Sequence, residues 1–418
     1  MVKVAVVGGG STYTPELVDG LGRLHDQLPV DELVLVDPVA ERLELVAGVG
    51  QRILARLGSP IRVVTSATLE PALAGVDAVL LQLRVGGQAA RNQDETWPLE
   101  CGCVGQETTG AGGLAKALRT VPVVLDIAEQ VTKAAPDAWI IDFTNPVGIV
   151  TRALLQEGHR AVGLCNVAIG FQRRFAALLD VPPDSLELDH VGLNHLTWER
   201  AARVSGVDRL PELLETNLDE IAGSLELPAD LVRSLGVVPS YYLRYFYAHD
   251  EVVRELLSAP SRAAEVAQIE RRLLELYADP ELDEKPELLG QRGGAFYSEA
   301  AVQLAAALLG DVPATHVVNL RNGGTLPFLP DDAVIEVPAR VDRTGVSAVD
   351  VAPLAPLYAG LVAHVTAYEH LALDAALRGG RQRVFQALLA HPLVGQVELA
   401  DGLTDRLLAH NREYLPWA

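Results

Sequence analysis

Three glycines near the N-terminus are the first residues whose type and spacing could do chemistry. Gly8–Gly10 follow the apolar run Val2–Val7 and precede a helical pattern that begins near Pro15. Glycines between a strand and a helix let the backbone approach a pyrophosphate, which then faces the helix-terminal N–H groups. Tyr13 stands where the usual fingerprint has its third glycine, so a plain tight turn is the alternative interpretation.

A carboxylate at the end of the second predicted strand supports the dinucleotide interpretation. Asp37 directly follows the apolar run Leu33–Val36. A carboxylate in this place accepts hydrogen bonds from the adenosine ribose hydroxyls and repels a 2′-phosphate. The sequence therefore predicts NAD, rather than NADP, as the cofactor.

Polar residues also stand where later predicted strands end. Asn145, within Thr144–Pro146, closes the fifth strand, and strand carboxyl ends border the cofactor crevice. Asn145 is therefore a candidate contact to nicotinamide or substrate, and a simple helix cap is the alternative. Cys165 ends the sixth strand and His195 ends a later strand-like segment. Two ligands are too few for structural zinc, so a metal here would need substrate oxygens and water to complete its shell. The alternatives are a buried apolar cysteine and a core histidine.

Arginines and tyrosines supply the remaining candidates. Arg84, Arg91 and Arg262 have no obvious helical partners. They are either solvated surface charges or guanidinium groups that hold a phosphorylated ligand in a cleft. The segment Tyr241–Tyr247 is the densest aromatic stretch. It is either a packing helix or the source of a general base, and a tyrosine base needs a nearby cation to lower its pKa below about 10.

Strand and helix patterns alternate through the first third of the chain. Continuous apolar strands imply a sheet that is covered on both faces, and the alternation predicts a doubly wound parallel sheet of the Rossmann type. The rhythm then changes, so we expect an NAD-binding domain over residues 1–167 and an α+β substrate domain over 168–418. The predicted strands are Val2–Val7, Leu33–Val36, Ile61–Val64, Ala78–Leu83, Trp139–Phe143, Ala161–Leu164, Leu186–Leu196 and Val334–Val341.

Composition narrows the classes of function. The 418 residues carry a net charge of −21, which disfavours nucleic acid and anionic membranes as partners. No apolar run reaches the ~20 residues that span a bilayer. Three cysteines do not suggest a disulfide framework, and no cleavable signal precedes the first strand. We expect a cytoplasmic enzyme.

Taken together, these motifs resemble glycoside hydrolase family 4, the NAD- and metal-dependent glycosidases. The likeness extends over nearly the whole chain, and the ordered combination of motifs is specific. Such enzymes are an exception to hydrolysis by two carboxylates. The motifs are Gly8–Leu17, Arg84–Gly87, Arg91 with Asp94-Glu95, Gly105–Gly110, Thr144–Pro146, Gly163–Asn166, Gly192–His195, Tyr242–Tyr245 and Arg292–Gly294.

The resemblance implies a role for each site residue. Cys165 and His195 would bind the metal, with Mn²⁺ as the expected ion and other divalent metals as alternatives. Tyr242 would be the catalytic base, with Tyr241 ranked second, and Glu107 would raise its basicity. Sugar or phosphate would be bound by Arg91, Asn145, Asn166 and Arg262. The cofactor would be bound by Gly8, Gly10, Ser11, Thr12, Asp37 and Arg84.

One position distinguishes branches of the family. Members acting on 6-phospho-α-glucosides resemble one another in carrying Asp after the metal cysteine, and α-galactosidase-like members carry His. Here the residue is Asn166, and Ser11–Pro15 resembles the 6-phospho-β-glucosidase branch. The substrate implied is a small glycoside with a 6-phosphate, and the leaving-group acid is unassigned. The architecture implied is that of lactate and malate dehydrogenases, in a homodimer or homotetramer.

The mechanism that the resemblance implies is elimination assisted by a transient oxidation. NAD⁺ takes hydride from sugar C3, and the resulting ketone acidifies the proton on C2, which Tyr242 removes. The aglycone leaves, water adds, and the hydride returns. The alternatives are a 2-hydroxyacid-type NAD-dependent dehydrogenase, a family member acting on an unphosphorylated or α-linked glycoside, and a non-catalytic NAD sensor.

Overall fold

The first half of the chain forms a parallel sheet that is wound in both directions. The computed structural model describes residues 1–294 and 296–418. Its six parallel strands lie in the order β3-β2-β1-β4-β5-β6, which is the full dinucleotide-binding arrangement. This confirms the predicted doubly wound sheet. The strands are β1 (Val2–Val7), β2 (Val30–Val36), β3 (Arg62–Ser66), β4 (Ala78–Leu81), β5 (Trp139–Asp142) and β6 (Ala161–Gly163).

Strands from the second half extend the same sheet in antiparallel fashion. Beyond β6 the order is β11, β12, β7, β8 and β10, with β13 paired to β12 and β9 paired to β8. Hydrogen bonding continues from β6 into β11, so the two expected domains share one sheet. The expected boundary between residues 167 and 168 stays a prediction. These strands are β7 (Leu186–Leu193), β8 (Leu196–Val204), β9 (Val207–Asp208), β10 (Val238–Pro239), β11 (Ala314–Arg321), β12 (Val334–Asp342) and β13 (Gly345–Ala348).

Helices cover both faces of the parallel part and surround the antiparallel part. Strands β4 and β5 are buried along their whole length, which explains their uninterrupted apolar sequence. Among the described residues, no helix combines the length and apolar character needed to cross a bilayer. The helices are α1 (Thr14–Arg23), α2 (Ala40–Arg56), α3 (Glu70–Leu73), α4 (Gly87–Thr96), α5 (Gly110–Ala134), α6 (Val147–Gln156), α7 (Val167–Leu179), α8 (Leu210–Thr216), α9 (Leu218–Leu225), α10 (Ala229–Leu235), α11 (Arg244–Tyr247), α12 (His249–Ser258), α13 (Arg262–Tyr277), α14 (Leu288–Gln291), α15 (Tyr297–Leu309), α16 (Pro356–Arg378), α17 (Arg381–Leu389) and α18 (Val397–His410).

The predicted strand Leu186–Leu196 is wrong in its extent. The structure divides it into a hairpin, in which β7 ends at Leu193 and β8 begins at Leu196. The turn contains Asn194 and His195, and His195 has a φ of 62°. The pattern of apolar residues did not reveal the turn. Glycine is the usual sequence signal for a two-residue turn, and neither residue of this turn is a glycine. His195 therefore lies in a tight turn, with a strand on each side.

Asp142, the last residue of β5, should make stability depend on pH. Its carboxyl group is fully buried and accepts a hydrogen bond from the Thr144 N–H at 2.8 Å. Burial raises its pKa from 3.8 to about 8. The folded state therefore binds this proton more tightly than the unfolded state does. The resulting stabilisation is complete below about pH 4 and is lost as the pH rises through about 8.

Asp142→Asn removes this titration and keeps the shape of the side chain. We expect the free energy of unfolding of wild type, relative to that of the variant, to decrease between pH 4 and pH 8. Urea unfolding at a series of pH values measures this difference. A constant difference over the whole range would contradict the assignment of Asp142 as a buried neutral acid.

Candidate active site

A cavity of about 1000 Å³ lies along the carboxyl ends of the parallel strands. Eleven of the fourteen predicted site residues line it. The cavity receives residues from the glycine loop after β1, from the ends of β4 and β5, and from the turn between β7 and β8. The three that do not line it are Gly10, Thr12 and Cys165, which lie immediately behind its wall.

The glycine loop forms a close-fitting cradle. Gly8 has a φ of 87°, and a Cβ on it would lie 2.7 Å from the Gln82 carbonyl oxygen. A Cβ on Gly10 would lie 2.8 Å from Cγ of Asp37, whose Oδ2 accepts a hydrogen bond from the Gly10 N–H at 3.1 Å. Side chains at these positions would collide with Gln82 and Asp37, so glycine lets the loop backbone pack this closely. The loop therefore fits a dinucleotide phosphate, with Asp37 at the second strand end, where a ribose would lie.

Thr12 lies beneath this loop. Its side chain is completely buried. The Thr12 hydroxyl accepts a hydrogen bond from Nε of Arg292 at 2.8 Å and donates one to Oε1 of Glu270 at 3.2 Å. Ser11, in contrast, lines the cavity. Thr12 therefore supports the loop from behind, and its predicted contact to the cofactor stays a prediction.

Cys165 follows β6 and is buried behind the cavity wall. Burial raises the pKa of its thiol to about 12. Hydrogen bonds from the Val167 N–H, the Asn194 amide and the Tyr297 hydroxyl act in the opposite direction, since they favour the thiolate. A thiolate held by several donors is a suitable metal ligand.

His195 presents a neutral imidazole to the cavity. Burial lowers its pKa to about 4. Its Nδ1 lies 2.8 Å from Oγ1 of Thr108, and the Thr108 hydroxyl donates to Oε1 of Gln106 at 2.7 Å. Because the hydroxyl proton is already used, Nδ1–H donates to Thr108 and the lone pair of Nε2 is free for a metal.

The ligand set agrees with the sequence interpretation of an incomplete shell. Within residues 1–294 and 296–418, no group of three or more His, Cys, Asp or Glu side chains could hold a metal ion. A cation at Cys165 and His195 would therefore take its other ligands from substrate and water. Asn145 lines the same cavity, and its Oδ1 is buried with no hydrogen-bond partner among the described residues. This oxygen is available to a bound hydroxyl group.

Tyr242 lies directly on His195. Its ring stacks on that of His195, with centroids 3.6 Å apart and an interplanar angle of 8°. Burial raises its pKa well above 10, and Arg91 acts in the opposite direction. The Tyr241 hydroxyl instead accepts a hydrogen bond from Nη1 of Arg244 at 2.9 Å. Of the two tyrosines, Tyr242 therefore has the position from which a base could act.

Glu107 is a buried carboxylate surrounded by cations. It forms ion pairs with Arg84, with Nζ of Lys116 at 2.5 Å, and with Nε of Arg91 at 3.2 Å. Burial would raise the pKa of Glu107, but Arg84, Lys116 and Arg91 outweigh it, and the pKa falls well below its usual range. Glu107 is thus a permanent negative charge on the cavity wall.

Sequence analysis missed Lys116, which also lines the cavity. Burial lowers the pKa of its ammonium group to about 7. The signal was present, because Lys116 interrupts the apolar run Leu114–Leu118 within α5. A lysine on the buried face of a helix needs a partner, and here the partner is Glu107.

The expectation that the site arginines lack helical partners is wrong for two of them. Nε of Arg91, on α4, pairs with Oε1 of Glu95 at 2.7 Å. Nη1 of Arg262, at the start of α13, pairs with Oε2 of Glu265 at 2.9 Å. Both arginines still line the cavity. Further cations on its wall that sequence analysis did not identify are Arg42, Arg244 and Arg292.

Fold and cavity together define a dinucleotide-binding α/β protein with a cation-rich active site, and the comparisons give its family. Residues 3–181 match the model of family 4 glycosyl hydrolases, and residues 190–394 match the model of the family 4 glycosyl hydrolase C-terminal domain. The chain belongs to glycosyl hydrolase family 4. This confirms the resemblance found in the sequence.

Named relatives span the whole chain. A probable 6-phospho-beta-glucosidase of Bacillus subtilis is 38% identical over 99% of this chain and 97% of its own length. The 6-phospho-beta-glucosidase of Escherichia coli is 36% identical over 99% and 96%. The structure of the Thermotoga maritima 6-phospho-beta glucosidase with NAD and glucose-6-phosphate matches with a TM-score of 0.93, at 35% identity and 99% coverage of both chains.

More distant similarity confirms the predicted architecture. Malate dehydrogenase of Plasmodium falciparum, solved with NADH, has a TM-score of 0.55 at 14% identity, over 90% of this chain and 99% of that chain. At this identity the likeness concerns the fold alone.

Proposed function

We propose that this chain is a 6-phospho-β-glucosidase that depends on NAD and on a divalent metal, with Mn²⁺ as the expected ion. One observation carries the proposal. A single cavity is lined by Gly8, Ser11 and Asp37 and also by His195 and Tyr242. A cofactor in the cradle and a sugar at the metal pair would therefore share one space. Relatives of 35–38% identity named as 6-phospho-beta-glucosidases support the substrate class.

The residues present fit both implied groups. Gly8 presents loop backbone without a side chain to the cavity, as a dinucleotide phosphate requires, and Asp37 would bind the ribose. Cys165 and His195 would hold the metal with a soft sulfur and an imidazole nitrogen. A Thermotoga maritima relative of 34% identity is described with manganese, NAD⁺ and glucose-6-phosphate, which supports Mn²⁺ as the metal. When bound, NAD would supply a hydride acceptor, and the metal would supply positive charge to the neighbouring sugar oxygens.

Tyr242 would then take the proton from sugar C2. Burial alone keeps its hydroxyl protonated, so the residue becomes a base only where positive charge lies beside it. Arg91 supplies part of that charge, and a metal held by His195, on which the phenol ring stacks, would supply the rest. Glu107 would act indirectly, because it fixes Arg91 and the Lys116 ammonium behind the site.

The cations of the cavity would bind the sugar 6-phosphate. The whole chain has a net charge of −21, so an anionic substrate requires a local excess of positive groups. Arg91 and Arg262 stand on the wall of the same cavity as Asn145 and Asn166. We assign these four residues to sugar and phosphate binding. The predicted cytoplasmic location and the homodimer or homotetramer are retained as parts of the proposal.

The experiment compares para-nitrophenyl β-glucoside with and without a 6-phosphate, in the presence of NAD⁺ and Mn²⁺. We expect turnover of the phosphorylated β-anomer with only catalytic NAD⁺, loss of activity on chelation, and recovery when Mn²⁺ is restored. The α-anomer is the matched control. Stoichiometric accumulation of NADH would instead indicate the dehydrogenase alternative, and equal turnover of the unphosphorylated glycoside would remove the phosphate assignment.

A further inference from the structure

A buried carboxylate that sequence analysis did not identify lies behind the candidate metal pair. Glu336 is on β12, and its side chain is 1% exposed. Its Oε1 accepts a hydrogen bond from Nε2 of His190 at 3.0 Å. Its Oε2 accepts from Nδ2 of Asn194 at 2.9 Å and from Nδ2 of Asn319 at 2.8 Å. Both carboxylate oxygens are therefore used.

Strand register places Glu336 between the two predicted ligands. Glu336 pairs with Gly192 of β7, whose hairpin turn carries His195. On its other side Glu336 pairs with Asn319 of β11, and Asn319 pairs with Gly163 of β6, two residues before Cys165. The segments bearing His195 and Cys165 do not neighbour each other in the sheet, because β11 and β12 separate them. Glu336 bridges that gap.

Asn194 connects Glu336 to Cys165. It precedes His195 in the turn, donates one amide hydrogen to Oε2 of Glu336, and also hydrogen-bonds to the sulfur of Cys165. An amide nitrogen has two hydrogens, so both contacts can exist together. The orientation of Asn194 thus depends on Glu336, and the position of the sulfur depends on Asn194.

The carboxylate is also ionised. Burial would raise the pKa of Glu336, but hydrogen bonds from His190, Asn194 and Asn319 lower it below its usual range. Burial acts in the opposite direction on His190 and would lower its pKa, but the carboxylates of Glu199 and Glu336 raise it to about 10. His190 is therefore an imidazolium that lies between the side chains of Glu199 and Glu336.

We propose that Glu336 is a positioning residue that fixes Cys165 and His195 relative to each other, through Asn194 and Asn319, and so sets the affinity of the site for its divalent cation. This inference rests on the proposed metal site. Groups that orient metal ligands are part of a site's affinity, because an unoriented ligand must be ordered when the metal binds.

The test measures Mn²⁺ binding to the full-length protein by electron paramagnetic resonance, in the absence of substrate. Glu336→Gln removes the negative charge and leaves a single accepting oxygen, so the side chain cannot accept hydrogen bonds from His190 and from both asparagines at once. We expect Mn²⁺ affinity to fall by roughly 10- to 100-fold. NAD affinity, measured by fluorescence titration, should remain that of wild type, since Glu336 does not line the cavity.

Glu199→Gln is the matched control. Glu199 is equally buried and contacts the same histidine, with its Oε1 2.5 Å from Nδ1 of His190. It makes no hydrogen bond to Asn194 or Asn319 among the described residues. If Glu336 acts only by maintaining the core, both variants should change Mn²⁺ affinity and thermal stability together. We expect only Glu336→Gln to change Mn²⁺ affinity.

A second variant covers the case in which Glu336→Gln does not fold. Asn194→Ala keeps the carboxylate and removes the connection to Cys165, so Mn²⁺ affinity should again fall. Wild-type affinity in Asn194→Ala, or in folded Glu336→Gln, would overturn the inference. Cys165→Ser distinguishes a failure of the metal site from a failure of the role proposed for Glu336. If it loses Mn²⁺ while Glu336→Gln does not, the metal site stands and only the role of Glu336 fails, whereas a wild-type protein that binds no Mn²⁺ even after glucose-6-phosphate is added would refute the metal site itself.

Discussion

Cys165→Ser should abolish glycosidase activity while NAD binding survives. Serine has nearly the same size, but its hydroxyl does not ionise as a thiol does and is a poor ligand for a transition metal. A bound metal contributes several kcal/mol to the stabilisation of developing charge, so turnover should fall by at least about 100-fold. The glycine cradle and Asp37 are built from other strands, so the affinity for NAD should not change.

The measurement combines three assays on one preparation: hydrolysis of the 6-phosphorylated β-glucoside, Mn²⁺ binding and NAD binding. Cys103→Ser is the matched control, because Cys103 is also a free, buried cysteine but does not lie at the end of a sheet strand as Cys165 does. We expect the control to keep its activity. Unchanged turnover in Cys165→Ser would remove the metal assignment, and loss of NAD binding would show that the variant is damaged more widely.

Tyr242→Phe should reduce kcat by roughly 10²- to 10⁴-fold, the range expected for removal of a general base. The phenyl ring can still stack on His195, so the packing at the metal pair is retained. Affinities for NAD and Mn²⁺ should therefore stay at wild-type values. This separation of kcat from binding distinguishes a lost base from a distorted site.

Two further measurements identify the step. Tyr241→Phe is the control, since the Tyr241 hydroxyl contacts Arg244 and Glu226 away from the metal pair, and we expect a much smaller loss. Substrate deuterated at C2 should react more slowly with the wild type if Tyr242 removes that proton in a rate-limiting step. Full activity in Tyr242→Phe would refute the assignment, and a larger loss in Tyr241→Phe would transfer it to the neighbour.

The sequence by itself determined the parallel sheet, the cofactor cradle and the family. These features depend on local signals: continuous apolar runs mark buried strands, and glycines between strand and helix mark the phosphate loop. The positions of Asn145 and Cys165 at strand ends followed from the same rule, since the carboxyl ends of parallel strands meet at one edge. Residues that are near one another in sequence were sufficient for this part.

Only the tertiary structure decided how the site is supported. Glu336 reaches His190 and Asn194 across 146 and 142 residues, and no spacing in the sequence predicts such a contact. Sequence analysis likewise missed the turn that carries His195 and the pairing of Lys116 with Glu107. A hairpin turn without glycine and a buried lysine can be interpreted only once their partners are in place. Local patterns encode strands and loops, whereas a buried charge is stabilised by groups that chain folding brings from elsewhere.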